Sequence, residues 1–143
     1  MKWNIAHNAE RIILSGYGEN EFNIPACPAY SDGILYLPTS TGGVRAVDAD
    51  SLTELHSFEC GESLLAVCPY TKIGTHAALG TPLIDGGRII FGAADGFVYA
   101  YDKASYELLW TASVGHPVLS SVIKIPVGYA VCDFDGGVSF IEK

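Results

Sequence analysis

Pro28-Ala-Tyr-Ser-Asp-Gly-Ile-Leu-Tyr-Leu-Pro-Thr-Ser-Thr-Gly-Gly-Val-Arg-Ala-Val-Asp48 lies, at a shift of 54 positions and without a gap, on Pro82-Leu-Ile-Asp-Gly-Gly-Arg-Ile-Ile-Phe-Gly-Ala-Ala-Asp-Gly-Phe-Val-Tyr-Ala-Tyr-Asp102. Apolar runs fall on apolar runs, Gly-containing turns on Gly-containing turns, and an Ala-x-Asp triplet closes each stretch. One backbone is being built twice. A shift of 40 sets His76-Ala-Ala-Leu-Gly-Thr-Pro-Leu83 on His116-Pro-Val-Leu-Ser-Ser-Val-Ile123, and carries Asp95-Gly96-Phe97-Val98 onto Asp135-Gly136-Gly137-Val138. That makes a third copy. The two shifts differ by an insertion of about fourteen residues between Phe58 and Thr75.

Each copy opens on a short apolar strand and a Gly-containing turn, Ser31-Asp32-Gly33, Asp85-Gly86-Gly87 or Val127-Gly128. A strand rich in β-branched and aromatic residues follows: 34–39, 88–93 and 129–134. The next turn, at Gly42-Gly43, Asp95-Gly96 or Gly136-Gly137, holds the glycine whose positive φ a tight hairpin needs. A third strand comes after it, at 44–48, 97–102 and 138–142, and the first two copies add a fourth at 53–58 and 107–112. No segment of ten residues or more has a helical period. Short strands, tight turns and a repeat of 40 to 54 residues predict an all-β fold: a partial β-propeller of about three four-stranded antiparallel blades.

The end of the second copy, Ala100-Tyr-Asp102-Lys-Ala-Ser105-Tyr106-Glu-Leu-Leu-Trp110, resembles the tryptophan-docking motif A-x-D-x-x-T-G-x-x-x-W of pyrroloquinoline-quinone-type repeats, with Ser105 for Thr and Tyr106 for Gly. The first copy keeps Ala46, Asp48 and the hydroxyl of Ser51, and puts His56 where Trp belongs. The resemblance implies that Trp110 packs between blades and that Asp102 and Ser105, like Asp48, close the turn between the outer strands. Trp3 lies 25 residues before Pro28, much as His56 lies 26 before Pro82, so Trp3 is read as the docking Trp of a further outer strand. The expected organisation is one propeller segment over 1–143: outer strand and linker in 1–21, blade 1 in 22–61, the insertion in 62–75, blade 2 in 76–115, and blade 3, lacking its outer strand, in 116–143. Three blades do not close a ring, since propellers have about four to eight. The chain is therefore read either as part of a larger protein or as a homodimer whose six blades close by exchange of the first strand, with the dimer favoured for the isolated chain.

Sixteen acidic against eight basic residues give a formal charge of −8, which repels a phosphate backbone and argues against a nucleic-acid partner. No apolar run approaches the ~20 residues that cross a bilayer as a helix. The first residues lack the apolar core of a secretory signal, which leaves a cytoplasmic protein, or a periplasmic or extracellular one if a signal precedes this sequence. Cys27, Cys60, Cys68 and Cys132 have no metal-knuckle spacing; Cys27 and Cys132 read as small core residues, and a Cys60–Cys68 disulfide stays open.

Neither catalytic residues nor a cofactor are expected. His76 and His116 occupy one repeat position and are the weak metal candidates; a hydrogen bond to a loop carbonyl is the plainer reading. Asp95 and Asp135 sit in equivalent turns, where Asp serves the turn. Tyr70 and Lys72 in the insertion, with Tyr17 and Asn20 in the first linker, are the binding-face candidates, because loops on a rigid scaffold collect such residues. The function expected is a non-catalytic scaffold or protein- or ligand-binding module that is part of a larger protein. Two alternatives rest on the resemblance: an accessory domain following a calcineurin-like metallophosphoesterase, and a quinoprotein dehydrogenase fragment, the latter opposed by the absence of a Cys-Cys pair and the few blades.

Overall fold

A computed structural model of the chain describes residues 26–65 and 75–142. Alternating burial and Gly turns give eleven strands in three antiparallel sheets among these residues, with no helix. Blade 1 contains β1 (Ala29–Ser31), β2 (Ile34–Pro38), β3 (Val44–Asp48) and β4 (Glu54–Phe58); blade 2 contains β5 (Leu83–Asp85), β6 (Arg88–Gly92), β7 (Phe97–Asp102) and β8 (Leu108–Ser113). Blade 3 has β9 (Ile123–Ile125), β10 (Gly128–Cys132) and β11 (Val138–Glu142). Strand order in every sheet follows the chain, so each blade is a meander. The short first strand of blade 2, β5, neighbours both β1 and β9, so the blades fan out from that side. The expected partial propeller is the observed fold.

The turns repeat as the strands do. Gly43, Gly96 and Gly136 all take positive φ in the second turn, at 66°, 87° and 86°. At Gly43 a side chain is also excluded by space: a Cβ would lie 2.1 Å from the carbonyl oxygen of Phe58. In the outer turns Asp48 Oδ1 accepts the amides of Asp50 and Ser51 and the hydroxyl of Ser51, while Asp102 Oδ1 accepts the amides of Ala104 and Ser105. These bonds stabilise the ionised carboxylates and hold both below the usual range, through the serine amide first. The third and fourth strands slip register just after Ala46 and just after Ala100, the same place in each copy.

Two cores lie between the three sheets. Tyr36, Val44, Ala46 and Phe58 of blade 1 meet Ile89, Phe91 and Ala93 of blade 2. Ile90, Val98 and Ala100, on the opposite face of blade 2, meet Tyr129 and Val131 of blade 3, with Trp110 packed against them. Ionic contacts repeat at both junctions: Lys103 reaches Ser31 and Asp32, and Lys124 pairs with Asp85, which also accepts the hydroxyl of Tyr129 at 2.7 Å.

Two expectations change. Cys27 and Cys132 are exposed free thiols and not core residues. Cys27 precedes β1, and Cys132 ends β10 on the face turned away from blade 2, where nothing described covers it. Trp110 is only half-buried, because β8 is an outer strand and its ring is covered from one side; that cover is Tyr129, centroids 5.9 Å apart. Trp3 lies outside the described residues.

Candidate functional site

At the junction of blades 1 and 2, the hairpin tip between β2 and β3 and the segment after β4 enclose a cleft of ≈ 250 Å³. Its wall includes Thr41, Arg45, Ser57, Glu59, Cys60 and His76. The tip is rigid: Thr39 Oγ1 donates to the carbonyl of Gly43 and accepts the amide of Gly42. His76 is fixed from both ends, since its carbonyl accepts the Gly43 amide and its Nδ1 lies 2.9 Å from the carbonyl oxygen of Cys60. That contact requires a proton on Nδ1, because the carbonyl oxygen can only accept. Arg45 donates to Glu54 across β3 and β4 at 2.8 Å. The Cys60 thiol is buried, and desolvation, with Asp95 and Glu59 nearby, pushes it up to about 12. It stays protonated and makes a poor nucleophile or metal ligand.

Asp95 fastens the base of the insertion to blade 2. Its Oδ2 accepts the hydroxyl of Tyr99 at 2.5 Å and the amide of Gly61 at 2.6 Å, and its Oδ1 accepts the amide of Phe97. Burial, then the bond to Asp95, raises the Tyr99 phenol. Ser63 and Thr75 close the loop by a backbone bond, and Leu64 donates to the carbonyl of Ala94. Asp95 thus does more than shape its own turn. In the third copy the turn-forming carboxylate is Asp133, which accepts the amides of Asp135 and Gly137; Asp135 contributes its amide.

The other distinctive surface is the face of blade 3 turned away from blade 2. Cross-strand partners share a face, so Ile123, Ala130 and Phe140 form one row and Cys132 and Val138 another. Phe140 is 69% exposed, and Ile123 and Val138 are 58% exposed. In blades 1 and 2 the position of Phe140 is Ala46 or Ala100, wholly buried beside His56 or Trp110 of the fourth strand. The outer edge of β11 has no strand beside it among the described residues.

Among the residues singled out from sequence, the structure places His76 in the cleft wall and His116, which is exposed, at the equivalent place on the next junction. No group of three or more His, Cys, Asp or Glu side chains able to hold a metal occurs among the described residues. Ala46, Asp48, Ala100, Asp102, Ser105 and Trp110 sit at the ends of the third strands, in the outer turns and on β8. Tyr17, Asn20, Tyr70 and Lys72 lie outside the described residues, as does Cys68. Sequence alone gives Asp95 a turn role and does not signal its bond to Tyr99 of β7, four residues on; nor does it signal the exposure of Phe140, which replaces the small residue of the Ala-x-Asp triplet. That replacement was visible in the repeat alignment.

No helix among the described residues is long and apolar enough to cross a membrane. No curated protein matches the chain. Among solved structures, BamB from Moraxella catarrhalis is 13% identical with a TM-score of 0.66, over 81% of this chain and 36% of that one. The computationally designed Ika4 protein is 17% identical with a TM-score of 0.60, over 80% of this chain and 63% of that one. Saccharomyces cerevisiae Sqt1 is 16% identical with a TM-score of 0.58, over 81% of this chain and 29% of that one. At such identities these likenesses establish the propeller fold, and this chain spans only about a third of that BamB. With its three meander sheets in place, residues 25–139 match the repeat family described as outer membrane protein assembly factor BamB, and the chain belongs to that family.

Proposed function

We propose that the protein is a non-catalytic β-propeller scaffold that docks a protein partner on the open face of blade 3. The observation that carries this reading is the face formed by Ile123, Phe140 and Val138 in two adjacent rows, exposed beside the outer edge of β11. A contiguous apolar surface next to unpaired backbone donors and acceptors favours a protein partner, because another chain satisfies both. The cleft supports the non-catalytic half of the reading: its thiol is held protonated and its histidine is engaged with a backbone carbonyl.

Benzophenone side chains installed singly at positions 123 and 138 test this in cells, with Thr111 on exposed β8 as the control position. Irradiation should give an adduct to one defined protein at 123 and 138, several-fold above the control. Equal yields at all three positions, or none, would overturn the proposal.

A further inference from the structure

We infer that the cleft at the tip of the β2–β3 hairpin binds a small zwitterion, a ligand of amino-acid size that carries both a carboxylate and an ammonium group. The site is separate from the open face of blade 3 and stands on different residues.

Thr41 is the first observation. Its Oγ1 is buried and has no hydrogen-bond partner, although the residue belongs to the cleft wall. A buried hydroxyl left unpaired costs stability and is uncommon in folded proteins, so one retained at a cleft points to a partner from outside the chain. Thr39 gives the contrast, because its Oγ1 both donates and accepts within the tip. Rotation about χ1 alone lets a threonine hydroxyl meet a ligand.

The rest of the wall sets the chemistry. Arg45 and Ser57 are opposite each other across β3 and β4, so guanidinium and hydroxyl share one face. With Thr41 they form a set of neutral and charged donors, which suits a carboxylate. Glu54 braces Arg45 at 2.8 Å and fixes where its charge lies. Glu59, exposed and two residues past Ser57, adds a carboxylate to the wall and attracts an ammonium group. A phosphate is repelled by Glu54 and Glu59 together. A sugar or nucleobase finds no phenyl, phenol or indole ring to stack on among the described wall residues. The volume of ≈ 250 Å³ is about eight waters' worth, which fits an amino acid better than a drug-sized ligand.

Blade 2 holds the wall in place before any ligand arrives. Tyr101 donates its hydroxyl to the carbonyl of Glu59 at 2.7 Å, the His76 ring bonds the carbonyl of Cys60, and Asp95 accepts the amide of Gly61. Three consecutive residues are thus fixed, which keeps the ordering cost of binding low.

The twenty L-amino acids, each at about 5 mM, are screened against the full chain by saturation-transfer NMR. The best is titrated by calorimetry as the free compound, its N-acetyl derivative and its carboxamide. The free compound should bind with a Kd below about 1 mM, and each blocked form at least about tenfold more weakly. Thr41→Val should weaken binding at least about fivefold, yet leave the melting temperature of the unliganded protein unchanged or about 2–4 °C higher, since it removes an unpaired buried hydroxyl. Glu59→Gln should weaken the free compound about threefold and leave the N-acetyl derivative unaffected, because that form has no charge for Glu59 to meet.

The absence of any amino acid binding with a Kd under about 10 mM would overturn the site, as would binding indifferent to both variants. Blocked forms that bind as tightly as the free compound would rule out the zwitterion. A lower melting temperature in Thr41→Val with binding intact would assign the hydroxyl to the fold, and the inference would fall.

Discussion

The imidazole of His56 lies flat on the ring of Tyr106, with centroids 4.5 Å apart and planes 9° from parallel. Each residue departs from the docking motif, His56 standing in the Trp position of blade 1 and Tyr106 in the Gly position of blade 2. The two departures meet across the blade junction, where Phe58 packs edge-on against both rings. What sequence alone marks as two defects is one aromatic contact.

That contact has a backbone cost. Tyr106 and its equivalent Leu52 both take left-handed φ, 63° and 56°, in the place where the motif has glycine. Left-handed backbone costs a non-glycine residue ~1–2 kcal/mol, partly offset by the lower unfolded-state entropy of a residue with a side chain. Leu52→Gly should therefore stabilise the protein by roughly 0.5 kcal/mol. Tyr106→Gly relieves the same strain but removes two ring contacts, and should destabilise by about 1–2 kcal/mol. Urea titrations of both variants check the ordering, and a gain in both would show that strain outweighs the stack.

The extent to which the sequence disclosed the molecule follows from what each feature depends on. Turn and strand positions depend on local chemistry: Val44–Asp48, Phe97–Asp102 and Val138–Glu142 were read to the residue, because a Gly turn and a period-two pattern bracket each one. The clasp of Asp95 on Gly61 joins groups 34 residues apart and has no local signature. The exposure of Cys132 and Phe140 depends on which face of blade 3 has a neighbour, and no periodicity distinguishes a covered face from an open one. The half-burial of Trp110 has the same origin: the motif names the residue that docks and not how much of its ring the next blade covers.

Trp110 lies against Tyr129 with one side of its ring uncovered. Trp110→Ala should cost about 2 kcal/mol, less than the ~3–5 kcal/mol of a fully enclosed aromatic. Chemical denaturation measures it, and a loss under about 0.5 kcal/mol would mean that the ring contributes little to the junction of blades 2 and 3.

The thiols should separate by reactivity. Cys27 and Cys132 are exposed, whereas Cys60 is buried and its thiol is pushed up to about 12. At pH 8 iodoacetamide should label Cys27 and Cys132 at least about a hundred times faster than Cys60, since both access and thiolate fraction disfavour the latter. Peptide mapping by mass spectrometry assigns each site. Labelling of Cys60 at a comparable rate would show that the base of the insertion opens readily.

The acid limb of stability should trace to the two outer turns. Asp48 and Asp102 are held below their ordinary range by the amides of Ser51 and Ser105, so the folded protein binds fewer protons at these sites than the unfolded chain. Such groups contribute stability that is fully present above the unfolded carboxylate value of about 4 and is lost as pH falls through the lower folded values. Melting temperature should therefore fall between about pH 4 and pH 2, and change little from these sites above about pH 5. Asn at either position keeps an acceptor oxygen but does not titrate, so Asp48→Asn and Asp102→Asn should each flatten this limb while lowering stability at neutral pH. Asp135→Asn is the control, because Asp135 enters its turn through its amide. Calorimetry across the pH range reads all three variants. An unchanged slope in Asp48→Asn together with Asp102→Asn would show that acid sensitivity arises elsewhere, with the Lys103 contact of Asp32 as the next group to change, since that carboxyl is also held low and its bond joins blade 1 to blade 2.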